Sequence, residues 1–326
     1  MASIHTTLRS GNAGADHGSR MRGPDFFIVG APKCGTTALT DYLAQHPEVG
    51  MCERKETQYF ATDLYPKFGR EDGAWITPEE YLRLFTHAQG RKRIGEASVW
   101  YLYSAAAPAA IRAFAPNADI IVMLRNPLEA LPSLHSQFVF VGIEPVEDFE
   151  AALALDPERE RSGSPPGFPP RSYRSAARYG EQVRRYVETF GRDRLHVILY
   201  DDFSADTLGS FRRTCEFLGV DPGFLPEIRV VNPNKRVRAR WAQDLVQDPP
   251  PALRRLLHAS TPQRLRRRLG ATLKRWNTRY EPRRPASESA AEALRPLVAQ
   301  QVEELRELLG LDASRWLAAA RLPSGR

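Results

Sequence analysis

The residues with the most chemical potential stand together at Gly30-Ala31-Pro32-Lys33-Cys34-Gly35-Thr36-Thr37-Ala38. Gly30 and Gly35 let the backbone turn so that successive N–H groups converge, Lys33 supplies a mobile positive charge, and Thr36 and Thr37 supply hydroxyls. An apolar run precedes the segment and a helical pattern follows it, so the positive end of a helix adds to an anion site. A nucleotide kinase would read GxxxxGK[ST], with the lysine directly after the last glycine and the hydroxyl on Mg²⁺. Here Lys33 precedes Gly35 by two, and Thr36 stands where that lysine would be. A second apolar run ends Val122-Met123-Leu124-Arg125, with a cation where an ATPase would place its metal-binding Asp. These residues point to an anion met directly by lysine and arginine without a metal. A P-loop kinase-like phosphotransferase remains the alternative.

The elements that must position these groups follow from the apolar patterning. Asp25–Gly30 reads as a buried parallel strand, and Thr36 to His46 as a helix with Leu39, Tyr42 and Leu43 on one face. Val49 to Phe60 is a strand-and-turn region, and Pro78 is a good first residue for a helix over Pro78–Phe85. Asp119–Leu124 is a second buried strand, from which Pro127 opens a helix toward Phe140. Residues 156–171, rich in Pro, Gly, Ser and Arg, are expected to form an exposed loop, and Tyr173 to Phe190 one amphipathic helix. Leu195–Tyr200 is a third strand, followed by a helix from Leu208 to Leu218 that Gly219 closes. Strands alternating with helices predict an α/β fold, a P-loop-like parallel sheet flanked by helices on both faces. The expected organisation is a disordered leader over 1–23 and a single domain over 24–320.

Composition narrows the function classes. With 326 residues and 42% hydrophobic content, one large core can form without disulfides or metals. Cys34, Cys52 and Cys215 are odd in number and widely spaced, which excludes a disulfide scaffold or a cysteine zinc site and fits a reducing compartment. No stretch approaches the roughly 18–20 apolar residues of a membrane span. The leader lacks the apolar core of a signal peptide, so a cytoplasmic location is expected. Net charge is +7, and between Arg254 and Arg284 basic residues recur with Glu281 the only acid. Such a segment attracts anions or is simply a solvated arginine-rich face. No nucleic-acid motif or aromatic platform accompanies it, so nucleic acid is not an expected partner. A module that binds an anionic polymer is a third reading.

The motifs resemble those of the sulfotransferases that use 3′-phosphoadenosine 5′-phosphosulfate (PAPS). Pro32–Thr37 is similar to that family's 5′-phosphosulfate loop. Arg125-Asn126-Pro127-Leu128-Glu129 with Ser133 is similar to its 3′-phosphate motif, Arg-[Asp/Asn]-Pro with a Ser eight residues after the Arg. Tyr179 to Gly219 and Glu292 to Trp316 also resemble the family's helix–strand–helix and closing helix, so the likeness covers most of the chain. It implies a sulfotransferase that moves a sulfuryl group from PAPS to a hydroxyl, or an amine, of a carbohydrate or small-molecule acceptor. Lys33, Cys34, Gly35, Thr36, Thr37 and Ala38 would hold the 5′ end, with Lys33 stabilising the leaving phosphate. Arg125 would offer its planar fork, and Ser133 an O–H, to the 3′-phosphate. Lys235, Arg236 and Arg238 lie where the family has a basic loop folding over the nucleotide.

The same resemblance supplies a base. On residues alone, Glu56 among polar neighbours reads as a solvated acid. Yet Arg54-Lys55-Glu56-Thr57-Gln58-Tyr59-Phe60 is similar to the Lys-Glu-x-x-Phe-Phe element of the heparan-type and bacterial branch, whose Glu is the base. Family members often carry His where Gln58 stands, and some carry Lys where Ala97 stands in Gly95–Tyr101, so acceptor contacts are expected to differ. His46 and His135 are the other possible bases. Tyr101 and Tyr103 are either stacking walls for an acceptor ring or core aromatics.

Overall fold

The computed structural model describes residues 21–64, 76–163, 170–229, 235–237, 278–280 and 286–319. Its centre is a five-stranded sheet of β1 (Phe26–Gly30), β2 (Val49–Met51), β3 (Arg93–Ala97), β4 (Asp119–Leu124) and β5 (Leu195–Leu199). The spatial order is β2-β3-β1-β4-β5 and every pairing is parallel. All residues of β1 and β4 are buried, as continuous apolar strands covered on both faces must be. At the entry end of the sheet, Arg93 pairs with Asp25 and Asp119, each at 2.7 Å, and ties β3 to β1 and β4. After β1 the chain runs outward to β2, whereas after β4 it runs the other way to β5. The crevice for a ligand therefore opens at the carboxyl ends of β1 and β4.

Helix α1 (Thr36–Leu43) follows β1; α2 (Pro78–Arg83) and α3 (Ala107–Phe114) flank β3; α4 (Pro127–Phe140) follows β4. Helix α1 stops short of the expected His46, which precedes Pro47 and so is disfavoured in helical conformation. Asn126 caps α4 by accepting from the Leu128 amide at 3.1 Å, and Pro127 sits in the first turn, where its missing N–H costs nothing.

Two further expectations, both beyond α4, need correction. The segment from Asp156 is not an exposed loop at its start: after α5 (Phe149–Ala154), α6 runs Asp156–Ser162. Asp156 is buried and accepts the Tyr173 and Arg174 amides, while Arg159 pairs with the buried Glu144 at 2.8 Å. These long-range partners hold a helix that local composition argues against. The helix expected over Tyr173–Phe190 is two, α7 (Tyr173–Ala176) and α8 (Tyr179–Phe190).

Helices α9 (Tyr200–Ala205) and α10 (Thr207–Leu218) follow β5, with Gly219 left-handed at φ 66° as expected. Tyr200 begins α9 rather than ending the strand. The closing helix is α11 (Glu288–Leu309), followed by the short α12 (Arg315–Ala319). Strands β6 (Lys235–Val237) and β7 (Thr278–Tyr280) form an antiparallel pair, and β6 lies beside α4. Arg22, within the expected leader, pairs with Asp25 at 3.0 Å. Most of the basic segment from Arg254 to Arg284 lies outside the described residues.

Candidate active site

Between β1 and α1 the backbone reverses through left-handed conformations at Lys33 (φ 67°) and Gly35 (φ 92°). Gly35 is required twice over, because a Cβ there would also sit 3.1 Å from the Tyr200 ring. Helix α1 begins with no side-chain cap, so among the described residues the first-turn amides of Thr36, Thr37 and Ala38 have no partner and offer, with the positive dipole end, the donors that suit an anion. The side chains around them divide. Cys34 points into the core, where burial pushes its thiol up to about 12 despite the nearby charge of Arg125, so only its backbone faces the loop. Thr36 is buried as well. Lys33 donates to Gln137 on α4 at 2.8 Å, and the Thr37 hydroxyl accepts from Lys55 at 3.1 Å.

Arg125 leaves the neighbouring strand 8% exposed, with its guanidinium 4.3 Å from the centre of the Tyr200 ring. Its Nε and Nη2 donate to Glu129, but Nη1 is buried with no partner among the described residues. A buried cationic N–H left unmade costs far more than a hydrogen bond returns, and an anionic oxygen would satisfy it. Ser133 is buried on α4, eight residues along from Arg125. The residues present thus fit a ligand that carries anionic groups at two places.

Glu56 comes to the same place from the other side. Its backbone N–H donates to the Ala97 carbonyl at 2.9 Å, and it adopts φ 62°. Its Oε2 accepts from the Val99 amide and from Gln58 Nε2, both at 2.9 Å, and its Oε1 accepts from Lys55 Nζ at 2.7 Å. Because Lys55 also holds Thr37, a single ammonium separates the Glu56 carboxylate from the first turn of α1. The side chain is about one-third exposed (34%), open enough to exchange a proton with a ligand.

Residues 24–224 match the model of the sulfotransferase family. The chain belongs to that family. A sulfotransferase crystal structure from Alicyclobacillus acidocaldarius superposes with a TM-score of 0.66 and 28% identity, covering 90% of this chain and 99% of that one. Human carbohydrate sulfotransferase 15 is 34% identical over 35% of this chain and 27% of its own length. The membrane-associated sulfotransferase kil1 of Dictyostelium discoideum is 32% identical over 32% of this chain and 21% of its own. The chain thus spans about a quarter of the length of these curated relatives. Among the described residues no helix is long and apolar enough to cross a membrane.

Within this sulfotransferase neither histidine faces the crevice. His46 is 1% exposed and bonded through Nε2 to the Asp221 carbonyl at 2.9 Å. His135 meets the Val146 carbonyl at 2.8 Å, and burial lowers its pKa. Tyr101, a possible stacking wall, is fully buried and bonded to Glu96 and Thr57. Lys235 and Arg236 are placed only by their backbone on β6, beside the helix that carries Ser133, and Arg238 lies outside the described residues. Among the described residues no group of three or more His, Cys, Asp or Glu could hold a metal.

Four residues of the site escaped the sequence reading. Gln137 lies one helical turn beyond Ser133, a spacing that could have flagged it. Lys55 adjoins Glu56, and Tyr200 follows the strand next to β4. Glu96, fully buried at the end of β3, gives no sign in sequence that it matters to Glu56.

Proposed function

We propose that this sulfotransferase transfers a sulfuryl group from PAPS to a hydroxyl, or an amine, of a carbohydrate or small-molecule acceptor. The first-turn amides of α1 and Lys33 would bind the 5′-phosphosulfate end, and Arg125 and Ser133 the 3′-phosphate. On the family resemblance alone, Lys235, Arg236 and Arg238 would add positive charge for the 3′-phosphate. PAPS supplies the sulfuryl group, with adenosine 3′,5′-bisphosphate as its leaving portion. Glu56 takes the acceptor's proton, and its three hydrogen-bond donors hold one carboxylate geometry while it does so. Lys33 neutralises charge that grows on the departing phosphate, a role that needs it to leave Gln137.

The observation that supports this reading is the buried Arg125 N–H that has no partner among the described residues, set beside an uncapped helix N-terminus, with Glu56 one ammonium away. Titration calorimetry with adenosine 3′,5′-bisphosphate in excess EDTA should show binding. Binding that requires Mg²⁺ would favour a kinase-like phosphotransferase, and no binding at all would end the proposal. With labelled PAPS and a panel of glycans, lipids and phenols, Lys33→Ala and Glu56→Gln should each lower turnover by about two orders of magnitude or more. Wild-type turnover in Glu56→Gln removes Glu56 as the base.

A further inference from the structure

Glu96 is fully buried at the end of β3, and its bonded partners are hydroxyls from four other residues. Thr57 and Ser98 donate to its Oε1, each at 2.6 Å. Tyr81 and Tyr101 donate to its Oε2 at 2.5 and 3.2 Å. Three of these hydroxyls have a second task. Ser98 accepts the Gln58 amide at 3.2 Å, Thr57 the Tyr59 amide at 3.3 Å, and Tyr101 the Phe60 amide at 3.3 Å. A hydroxyl has one proton and two lone pairs, so donating to the carboxylate leaves its lone pairs facing the amide. One carboxylate thereby orients three hydroxyls to receive three consecutive N–H groups of the loop that begins with Glu56. Glu56 and Gln58 both hold positive φ in that loop, 62° and 55°, conformations that persist in non-glycine residues only where surroundings impose them.

We propose that Glu96 is the positioning residue for Glu56, fixing the base loop through a hydroxyl relay and touching neither nucleotide nor acceptor. The catalytic half of this inference rests on reading Glu56 as the base. An amide at position 96 keeps the shape but brings a donor where only acceptors stood, so the two hydroxyls that face its nitrogen must turn their protons away and are no longer oriented by position 96.

Hydrogen exchange of the full chain tests the relay without any acceptor. In Glu96→Gln at least one of the amides of Gln58, Tyr59 and Phe60 should exchange at least tenfold faster, while those of β4 and α10 keep their wild-type rates. Affinity for adenosine 3′,5′-bisphosphate should stay within twofold. Thr57→Val leaves Glu96 in place and removes one relay, so Tyr59 should lose protection, with a smaller loss at Phe60 through the Tyr101 hydroxyl that Thr57 meets at 3.0 Å, while Gln58 keeps its own. Unchanged exchange at 58–60 in Glu96→Gln, or a loss spread evenly over the sheet, overturns the proposal.

With whichever acceptor of the panel is turned over fastest, Glu96→Gln should lower kcat at least tenfold with little change in KM. It should lower it no further in a Glu56→Gln background. A further tenfold loss in that background means Glu96 acts elsewhere and refutes the inference. Wild-type turnover in Glu56→Gln alone instead removes the base assignment and leaves the exchange result to judge the relay.

Discussion

The loops that follow β1 and β2 lie at the same end of one sheet, yet they treat their backbone amides in opposite ways. After β1, the first turn of α1 has no side-chain cap and its donors are left for something else. After β2, the amides of Gln58, Tyr59 and Phe60 are each consumed by a hydroxyl anchored on Glu96, and the Glu56 amide by the Ala97 carbonyl. The first loop carries the electrostatic cost of unsatisfied donors, which an anion removes. The second carries positive φ at two non-glycine residues, against Lys33 alone in the first, and internal bonds offset it. One loop is left open to receive and the other is built to stay put, which is what the proposed binding of an anion beside Glu56 as base would demand.

The contrast is broken most severely by removing a donor from the receiving side. Arg125→Ala loses charge-assisted bonds of roughly 1.5–3 kcal/mol, so affinity for adenosine 3′,5′-bisphosphate should fall about 10- to 100-fold by calorimetry. Exchange at the Gln58–Phe60 amides should not change. Arg125→Lys keeps the charge without the fork and should recover only part of the loss. If Arg125→Ala binds as wild type does, the unpaired Nη1 has no bearing on the nucleotide.

Gly35→Ala attacks the same loop through its backbone. The left-handed conformation costs an L-residue roughly 1–2 kcal/mol, and the new Cβ would press on the Tyr200 ring that also underlies Arg125. Nucleotide affinity should fall about tenfold. Thermal unfolding should register a stability loss of about 1–2 kcal/mol, the left-handed cost, with little added by the ring, which is half-buried and can yield. An equal substitution cost at Glu56, already left-handed without glycine, would contradict the idea that internal bonds carry its strain.

The receiving loop was the more legible of the two for a physical reason. Its proposed anion-binding role is written in glycines, a lysine and a strand–helix context, all within nine consecutive residues, and β1 and β4 announce themselves as continuous apolar runs. Arg125 and Ser133 are likewise local, on one strand end and the helix after it. Glu56 was reached through resemblance alone, because what holds it comes from Ser98 and Tyr101 about forty residues away, from Tyr81 on α2, and from Glu96 on β3. No pattern near Glu56 could report partners brought in by parallel pairing of β2 with β3. The same blindness made Tyr101 a possible acceptor wall, since an aromatic at a strand end looks alike whether its hydroxyl meets a ligand or a buried carboxylate. It also hid α6, whose first residue is fixed by amides seventeen and eighteen positions later.

Lys55 is where the two loops meet, and replacing it with methionine is the mildest and most discriminating test of their division of labour. Its ammonium bonds Thr37 on the receiving side and Glu56 on the fixed side, at 3.1 and 2.7 Å. It is 28% exposed, so solvent screens both bonds and each contributes about 1 kcal/mol or less. If the base loop is held from beneath by Glu96, Lys55→Met should leave exchange at Gln58–Phe60 unchanged and lower kcat only about fivefold. Thr37→Val should reproduce part of that loss, and the double variant should be no worse than Lys55→Met alone, because both changes sever one bridge. A hundredfold loss in Lys55→Met with faster exchange at 58–60 would show that the base loop is held from the phosphate side, and the two loops would then have to be read as one unit.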